Sequence, residues 1–355
     1  MKEKVICGIQ QVGIGVPNVV EAWKWYYDIF GFELKIVDDE GVAERMLPYT
    51  GGKPQPRRAV MVFNSRGGGG LEIWQPKQRE LNYLARPAEL GDVGVLASKM
   101  KTPNIDKCYK AFSGKGLDII SDIKTSPYGI RHFLMRDLYG NLIQVEENNY
   151  VFIKSKKLTG GVNGVMIGVS DMDKSIAFYT SILDYDKIEY DTTTVFNDLK
   201  PFPRGDRRVR RVVLSRSKPI EGPLCRIMGT SYIELIQAAD EQGKKLYEGR
   251  LWGDPGYIHL CFDIRNMDVL QKECEDKGHP FVCDSGKDFD MGDANGHFTY
   301  IEDPDGSLIE FVETKRVPII KKIGWYLDLT RKDDKKPLKI LKAIRFAKIS
   351  PDKIQ

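Results

Sequence analysis

The chain repeats itself, and this repeat constrains its fold more than any other feature. Residues 10–32 match residues 163–185: each segment has an apolar stretch, a turn containing Asn or Asp, and a helical pattern that ends in apolar residues. Residues 136–147, "RDLYGNLIQVEE", match residues 302–313, "EDPDGSLIEFVE", and each reads as two strands around a turn. The two halves of the chain are therefore expected to fold alike.

Each half divides again. In the second half, strand–turn–helix patterns begin near residues 164 and 257, and further strand patterns follow each of them. The sequence therefore predicts an α+β fold of four βαβββ units. We place a first domain at residues 1–150, a second at residues 151–315, and a basic, helical extension at residues 316–355.

The two halves share a register, and it singles out one histidine. The same spacing of 162 residues (234 − 72 and 259 − 97) separates Glu72 from Glu234 and Ala97 from His259. His259 lies in the apolar strand pattern "YIHLCFDI", residues 257–264. Because alanine occupies the equivalent position of the first half, packing of the repeat does not require an imidazole there. His259 is therefore a candidate ligand.

This layout resembles the vicinal-oxygen-chelate superfamily, which includes glyoxalase I, methylmalonyl-CoA epimerase, extradiol dioxygenases and bleomycin-resistance proteins. The resemblance covers roughly residues 5–315 and is carried mainly by "VGIGVPNVVEAWKWYYDIFGFEL" (12–34) and "DPDGSLIEF" (303–311). It implies that the four units form two curved mixed β-sheets, each a half-barrel around a cavity. Since one fold hosts many chemistries, the resemblance alone does not decide the activity.

The resemblance also implies which residues hold a metal ion, because superfamily members take their ligands from equivalent strands of the repeated units. In this chain the equivalent positions are Gln11, Glu72, Ala97 and Gln144 in the first half, and Gly164, Glu234, His259 and Glu310 in the second. Alanine and glycine have no side-chain donor atom, so neither half alone provides a complete set of four.

Two arrangements of these ligands remain open. If units are exchanged between the halves, as in proteins similar to glyoxalase I, then Gln11, Glu72, His259 and Glu310 form one site. If each half closes on itself, Glu234 joins His259 and Glu310 instead. Oxygen donors with one imidazole suit a divalent ion in either case: zinc, nickel, manganese, cobalt or iron(II).

The first function that the resemblance implies is that of a metal-dependent lyase or isomerase of the glyoxalase I type. Its small substrate would carry two vicinal oxygens, the metal ion would stabilise an enolate, and Glu310 or Glu72 would act as the catalytic base. The second is an extradiol ring-cleaving dioxygenase, although Gly164 stands where that branch has its first histidine. The third is a metal-free protein that sequesters a small molecule.

Three further residues are candidate substrate contacts. Arg208 and Arg210 belong to the arginine-rich stretch 201–218, which indicates an anionic substrate unless these charges protect an exposed edge strand. His297 lies in the glycine-containing segment 290–300, which we predict to be a lid over the site.

Composition and charge set outer limits. The chain is 41% hydrophobic and 29% charged, which is typical of a globular protein. Residues 314–355 contain 13 Lys and Arg against four Asp, and "PLKILKAIRFAKI" (337–349) has the pattern of an amphipathic helix. Six cysteines without a CxxC pair indicate reduced thiols. We therefore expect a cytoplasmic monomer or homodimer without a membrane span or a nucleic-acid partner.

Overall fold

The computed structural model describes residues 2–241, 243–287, 289–290, 295–320 and 324–355. Over these residues the strands form two sheets, called sheet A and sheet B below. In order across sheet A, the strands are β14 (Cys283–Asp284), β16 (Asn295–Glu302), β17 (Leu308–Ile320), β13 (Gly256–Arg265), β1 (Val5–Gly15), β4 (Gly70–Pro76), β3 (Gln55–Phe63) and β2 (Leu34–Ala43), with β15 (Phe289–Asp290) beside β16 and β18 (Trp325–Asp328) beside β17. In order across sheet B, they are β10 (Lys187–Thr194), β11 (Val209–Ser215), β12 (Tyr232–Ala238), β9 (Val162–Gly168), β5 (Gly94–Thr102), β8 (Leu142–Glu147), β7 (Arg131–Arg136) and β6 (Lys124–Thr125).

The repeated units are exchanged between the two sheets. Strand β1 pairs with β13 in sheet A, and β5 pairs with β9 in sheet B, both antiparallel. Sheet A therefore combines the first and fourth units, and sheet B combines the second and third. The predicted α+β fold of two curved mixed sheets is confirmed. Each sheet takes strands from both halves of the chain. The sheets therefore do not coincide with the predicted domains, and the division into residues 1–150, 151–315 and 316–355 stays a prediction.

The four longer helices follow the first strand of each unit: α1 (Val19–Phe30), α2 (Ile105–Gly114), α3 (Met172–Leu183) and α5 (Met267–Asp276). Local sequence explains where three of them begin. The side chains of Asn18, Asn104 and Asp171 accept hydrogen bonds from backbone N–H groups of the first turn of α1, α2 and α3. Gly31, with φ of 71°, ends α1 in the left-handed conformation that glycine adopts readily.

Alternation along the strands divides each sheet into a core face and a concave face. On β1, Val12 and Ile14 join the main apolar cluster, where they pack with helix residues such as Trp23 and Tyr26. Gln11 and Gly13 therefore point to the opposite face. This face of sheet A is where the candidate ligands meet.

The C-terminal segment packs against sheet A. A 3₁₀ helix at Lys339–Ala347 buries Leu341 and Ile344 in an apolar cluster with residues of β2 and β17, whereas Phe346 is exposed. Three shorter helices complete the described residues: α4 (Cys225–Met228) and 3₁₀ turns at Leu47–Tyr49 and Pro351–Lys353. None of the helices described is long and apolar enough to cross a membrane.

Candidate metal centre

Strand register brings the candidate ligands together on the concave face of sheet A. Gly13 of β1 lies between Glu72 of β4 and His259 of β13. Two residues along β1, Gln11 lies beside Cys261, which in turn pairs with Glu310 of β17. Each ligand therefore comes from a different strand of one continuous sheet, so the backbone hydrogen bonds of that sheet fix their spacing.

The side chains converge on one point. Nε2 of His259 lies 3.2 Å from Oε2 of Glu72 and 3.1 Å from Oε2 of Glu310. Nε2 of Gln11 donates a hydrogen bond of 3.2 Å to the same oxygen of Glu310. One donor atom from each of Glu72, His259 and Glu310 falls within 4.8 Å of the others. This closeness suits three protein ligands of a single small cation.

Gly13 makes room for the imidazole. A Cβ atom at this position would lie 2.2 Å from Cε1 and 2.4 Å from Nδ1 of His259. The ring therefore lies directly over the backbone of β1, and any side chain on Gly13 would displace it. Sequence reasoning missed this residue, although its counterpart in the repeat, Met166, carries a large side chain and could have drawn attention to it.

Several polar atoms of the cluster are buried without a well-aligned hydrogen-bond partner. They are Oε1 of Gln11, Oε2 of Glu72, and both ring nitrogens of His259. Buried polar atoms are nearly always paired, because leaving one unpaired costs about 1–3 kcal/mol. The unpaired atoms lie on residues whose donor groups suit a divalent ion, so the residues present fit a metal ion at this position.

The charge of the cluster points the same way. Burial by itself lowers the pKa of His259, but Glu310 and Glu72 outweigh it and raise the pKa to about 9. Without another cation, the imidazolium is thus the positive charge that offsets two buried carboxylates. A divalent ion would balance the two carboxylates with the imidazole neutral.

Gln11, Glu72 and Glu310 line a cavity of about 210 Å³, and His259 lies buried beside them. Trp252 and Tyr300 cover the imidazole, with ring centroids 6.3 Å and 5.5 Å from that of His259. His297 lines the same cavity from β16 and contacts Asp284, with 2.6 Å between Nε2 and Oδ1. In the predicted lid, residues 295–300 belong to strand β16. Residues 291–294 of the predicted lid lie outside the described residues.

The structure does not place Arg208 and Arg210 at this cavity. Arg208 directly precedes β11 of sheet B and is exposed. Arg210 lies on β11 and forms ion pairs of 2.8 Å with both Asp173 and Asp191. Their neighbour Arg211 points to the other face, because successive residues of a strand alternate. The arginine-rich stretch is thus partly solvent-facing charge and partly a buried network.

Glu234 also belongs to sheet B, so it does not join His259. Its carboxylate forms ion pairs with Lys99 and Arg211, and the hydroxyl of Tyr128 donates a hydrogen bond of 3.0 Å to it. Burial raises the pKa of Glu234, but Arg211 and Lys99 outweigh this effect and lower it to about 2. The arrangement in which each half closes on itself is therefore wrong for this chain, because the units are exchanged.

Lys99 was missed at the sequence level as a partner of Glu234. Lys99 is two residues beyond Ala97, so the two side chains share a face of β5. A lysine on the same face as the predicted ligand position was the available signal, because a buried lysine is stabilised by an acidic partner.

The family of the chain follows from its sequence. A sequence model of the Glyoxalase/Bleomycin resistance protein/Dioxygenase superfamily matches residues 8–145 and 161–311. The chain belongs to this superfamily. The two matched segments make it a tandem member, with one glyoxalase-like segment in each half. None of the curated proteins compared with the chain matches it.

Solved structures of the superfamily show the same fold. Glyoxalase I from Zea mays has a TM-score of 0.54 and 13% sequence identity, and the similarity covers 88% of this chain and 92% of that one. A putative dioxygenase from Bacillus subtilis has a TM-score of 0.51 and 12% identity, with 88% and 86% covered. At these identities the likeness shows the fold and not the activity. The roles of the candidate residues therefore stay predictions.

Proposed function

We propose that this superfamily member is a metal-dependent lyase or isomerase that acts on a small molecule with two vicinal oxygens. The observation that carries the proposal is the buried convergence of Glu72, His259 and Glu310, of which Glu72 and Glu310 line a cavity. Gln11 supplies a fourth donor, since its Oε1 is buried and unpaired. A bound divalent ion would supply Lewis-acid polarisation of a substrate oxygen.

The two glutamates differ in how firmly they are held. Oε2 of Glu310 accepts a hydrogen bond from Gln11 and lies 3.1 Å from Nε2 of His259, whereas Oε2 of Glu72 lies 3.2 Å from Nε2 of His259 and accepts no well-aligned hydrogen bond. Glu72 is therefore freer to accept a proton from a substrate carbon, and we assign it the role of general base at Oε2. Glu310, positioned by Gln11, is assigned mainly to ligand binding.

The aromatic residues support this chemistry by excluding water. Trp252 and Tyr300 are buried and border both the cavity and the imidazole of His259. A water-poor site strengthens the electrostatic effect of charged groups on a reacting molecule.

The dioxygenase alternative is less favoured by the donor set. Non-haem iron(II) oxygenases typically use two histidines and one carboxylate, whereas this cluster has one histidine and two carboxylates. The metal-free sequestering alternative leaves Oε1 of Gln11 and Nδ1 of His259 buried without a partner.

Proton exchange at carbon tests the proposal. The protein is loaded with zinc, nickel, manganese or cobalt in turn and incubated in D₂O with hydroxyacetone, which has vicinal oxygens and exchangeable C–H protons. We expect loss of the C–H signals by NMR, slowed about 100-fold or more in Glu72→Gln, since general bases contribute about 10²–10⁴ in rate. Glu80→Gln, at an exposed site, is the matched control.

Equal exchange in the wild type and Glu72→Gln would contradict the assignment of the base. Oxygen consumption with catechol by the iron(II)-loaded protein, without proton exchange in any metal form, would favour the dioxygenase instead.

A further inference from the structure

We infer that the substrate carries an uncharged, apolar body, which binds along a wall running from Glu72 to the C-terminal 3₁₀ helix. The inference rests on the proposed function and adds the substrate class. It replaces the anionic substrate that the arginine-rich stretch indicated.

The apolar wall begins beside the candidate ligands. Glu72 of β4 pairs with Met61 of β3, and Met61 pairs with Val37 of β2. Residues that are paired in this way point to the same face of a sheet, and neighbouring strands are about 4.8 Å apart. Glu72, Met61 and Val37 thus form a row across the sheet. Its side chains change from a carboxylate to apolar groups within one strand spacing and stay apolar as far as the edge strand β2.

Two segments outside the sheet cover the far end of this row. Ile227 and Met228 of α4, and Ile344 of the C-terminal 3₁₀ helix, line the same cavity as Glu72. They belong to one apolar cluster with Val37 and Met61. The end of the cavity opposite the ligands is thus built from aliphatic and thioether side chains, which favour an apolar group.

The basic side chains of the described cavity lining offer no buried site for a second anionic group. Arg57 already pairs with Asp39, through both its carboxylate and its backbone carbonyl. His297 contacts the carboxylate of Asp284. Arg45 is exposed to solvent. An anion inside the cavity would therefore lose its hydration without gaining a free cation from the described lining, and such burial is costly.

The size of the cavity limits the apolar body. Its volume of about 210 Å³ exceeds that of an engineered apolar cavity of about 150 Å³ that binds benzene. It accommodates a short alkyl chain or a single ring beyond the two oxygens held at the metal.

Hydroxamates test the inference, because they bind divalent metals through two vicinal oxygens. The metal-loaded protein is titrated by calorimetry with acetohydroxamate, hexanohydroxamate and the monohydroxamate of glutaric acid, whose chain ends in a carboxylate. Each buried methylene favours binding several-fold. We expect hexanohydroxamate to bind at least tenfold more tightly than acetohydroxamate, and the glutaric compound at least tenfold more weakly than hexanohydroxamate.

A pair of variants on one helix locates the apolar wall. Ile344 is buried, whereas Ile340 on the same 3₁₀ helix is 51% exposed. Ile344→Glu should abolish the preference for hexanohydroxamate, and Ile340→Glu should leave it unchanged. Ile344→Ala is the milder variant if the charge prevents folding: it should weaken hexanohydroxamate several-fold and leave acetohydroxamate unchanged.

The metal content of each sample separates the two proposals. If the wild type retains no metal, the proposed function fails. If it retains metal and binds acetohydroxamate, but hexanohydroxamate binds no more tightly or the glutaric compound binds best, then the apolar substrate class is wrong and the proposed function stands.

Discussion

The concave faces of sheets A and B share a register but balance their buried carboxylates differently. In sheet A, Glu72 and Glu310 have the imidazole of His259 as their ion-pair partner. In sheet B, Glu234 has Lys99 and Arg211 as ion-pair partners. One face therefore supplies its cations from the chain, and the other leaves a position that suits a cation from solution.

The sizes of neighbouring side chains are also exchanged between the two faces. In sheet A, Glu72 is followed across the strands by Gly13 and His259; in sheet B, Glu234 is followed by Met166 and Ala97. In sheet A the large side chain is His259 on β13, beside Gly13 on β1. In sheet B it is Met166 on β9, the counterpart of β1, beside Ala97 on β5. At this position of the register, Gly13 leaves space for the imidazole of His259, whereas Met166 fills the equivalent space in sheet B.

The concave face of sheet B is also filled by apolar side chains. Phe196, Leu199 and Phe202 form a buried cluster with Ala97 and Met166. Tyr128 lies against Arg211, with 5.1 Å from its ring centroid to the guanidinium carbon. Described side chains thus fill the concave face of sheet B, whereas sheet A has a cavity.

The largest predicted effect is on the stability of sheet B. Lys99→Met removes one of the two ion-pair partners of the buried Glu234 and should lower the free energy of unfolding by about 3–5 kcal/mol. Denaturant unfolding of the metal-free protein measures it. The exposed Lys24→Met should change stability by less than about 0.5 kcal/mol. Equal stability of Lys99→Met and wild type would mean that the network is not needed to hold the sheet.

The pH dependence of stability sharpens this point. The pKa of Glu234 is about 2 in the folded protein, against a usual value of 4.5. Its contribution, on the order of 3 kcal/mol, is therefore complete above pH 4.5 and is lost as the pH falls toward 2. The stability difference between the wild type and Glu234→Gln should shrink over this range in unfolding curves. A difference that stays constant with pH would contradict the ion pairing.

A smaller effect is expected where a side chain is added in sheet A. Gly13→Ala places Cβ against the ring of His259 and should cost about 1–3 kcal/mol of stability, with at least tenfold weaker metal binding. In the His259→Ala background, adding Gly13→Ala should cost much less stability than it costs in the wild type, because the clashing ring is gone. Additive effects in this mutant cycle would show that Gly13 does not make room for the imidazole.

The sequence predicts much of this fold because the repeat sets the register. The spacing that relates Glu72 to Glu234 also relates Ala97 to His259, and the structure places these residues at equivalent positions. The same spacing could not decide which units pair. Both pairings bury the same strand faces, so hydrophobic patterning does not distinguish them; only the sheet order places Glu72, and not Glu234, beside His259.

The interpretation of the arginine-rich stretch shows a second limit. Arg210 and Arg211 are neighbours in sequence, but one forms partly exposed ion pairs and the other is buried beside Glu234. Which arginine turns inward depends on the acidic partner on the adjacent strand, and that pairing is a tertiary contact. An anionic substrate was therefore a reasonable expectation from the sequence, although the cavity lies in the other sheet.

Metal content tests most directly whether sheet A, and not sheet B, takes its cation from solution. The wild type, Glu72→Ala, His259→Ala and Glu234→Gln are loaded with zinc, dialysed and analysed for metal, with circular dichroism to verify folding. One ion per chain is expected in the wild type and in Glu234→Gln, and at least tenfold less in Glu72→Ala and His259→Ala. Full retention by His259→Ala, or loss of the ion from folded Glu234→Gln, would contradict the account.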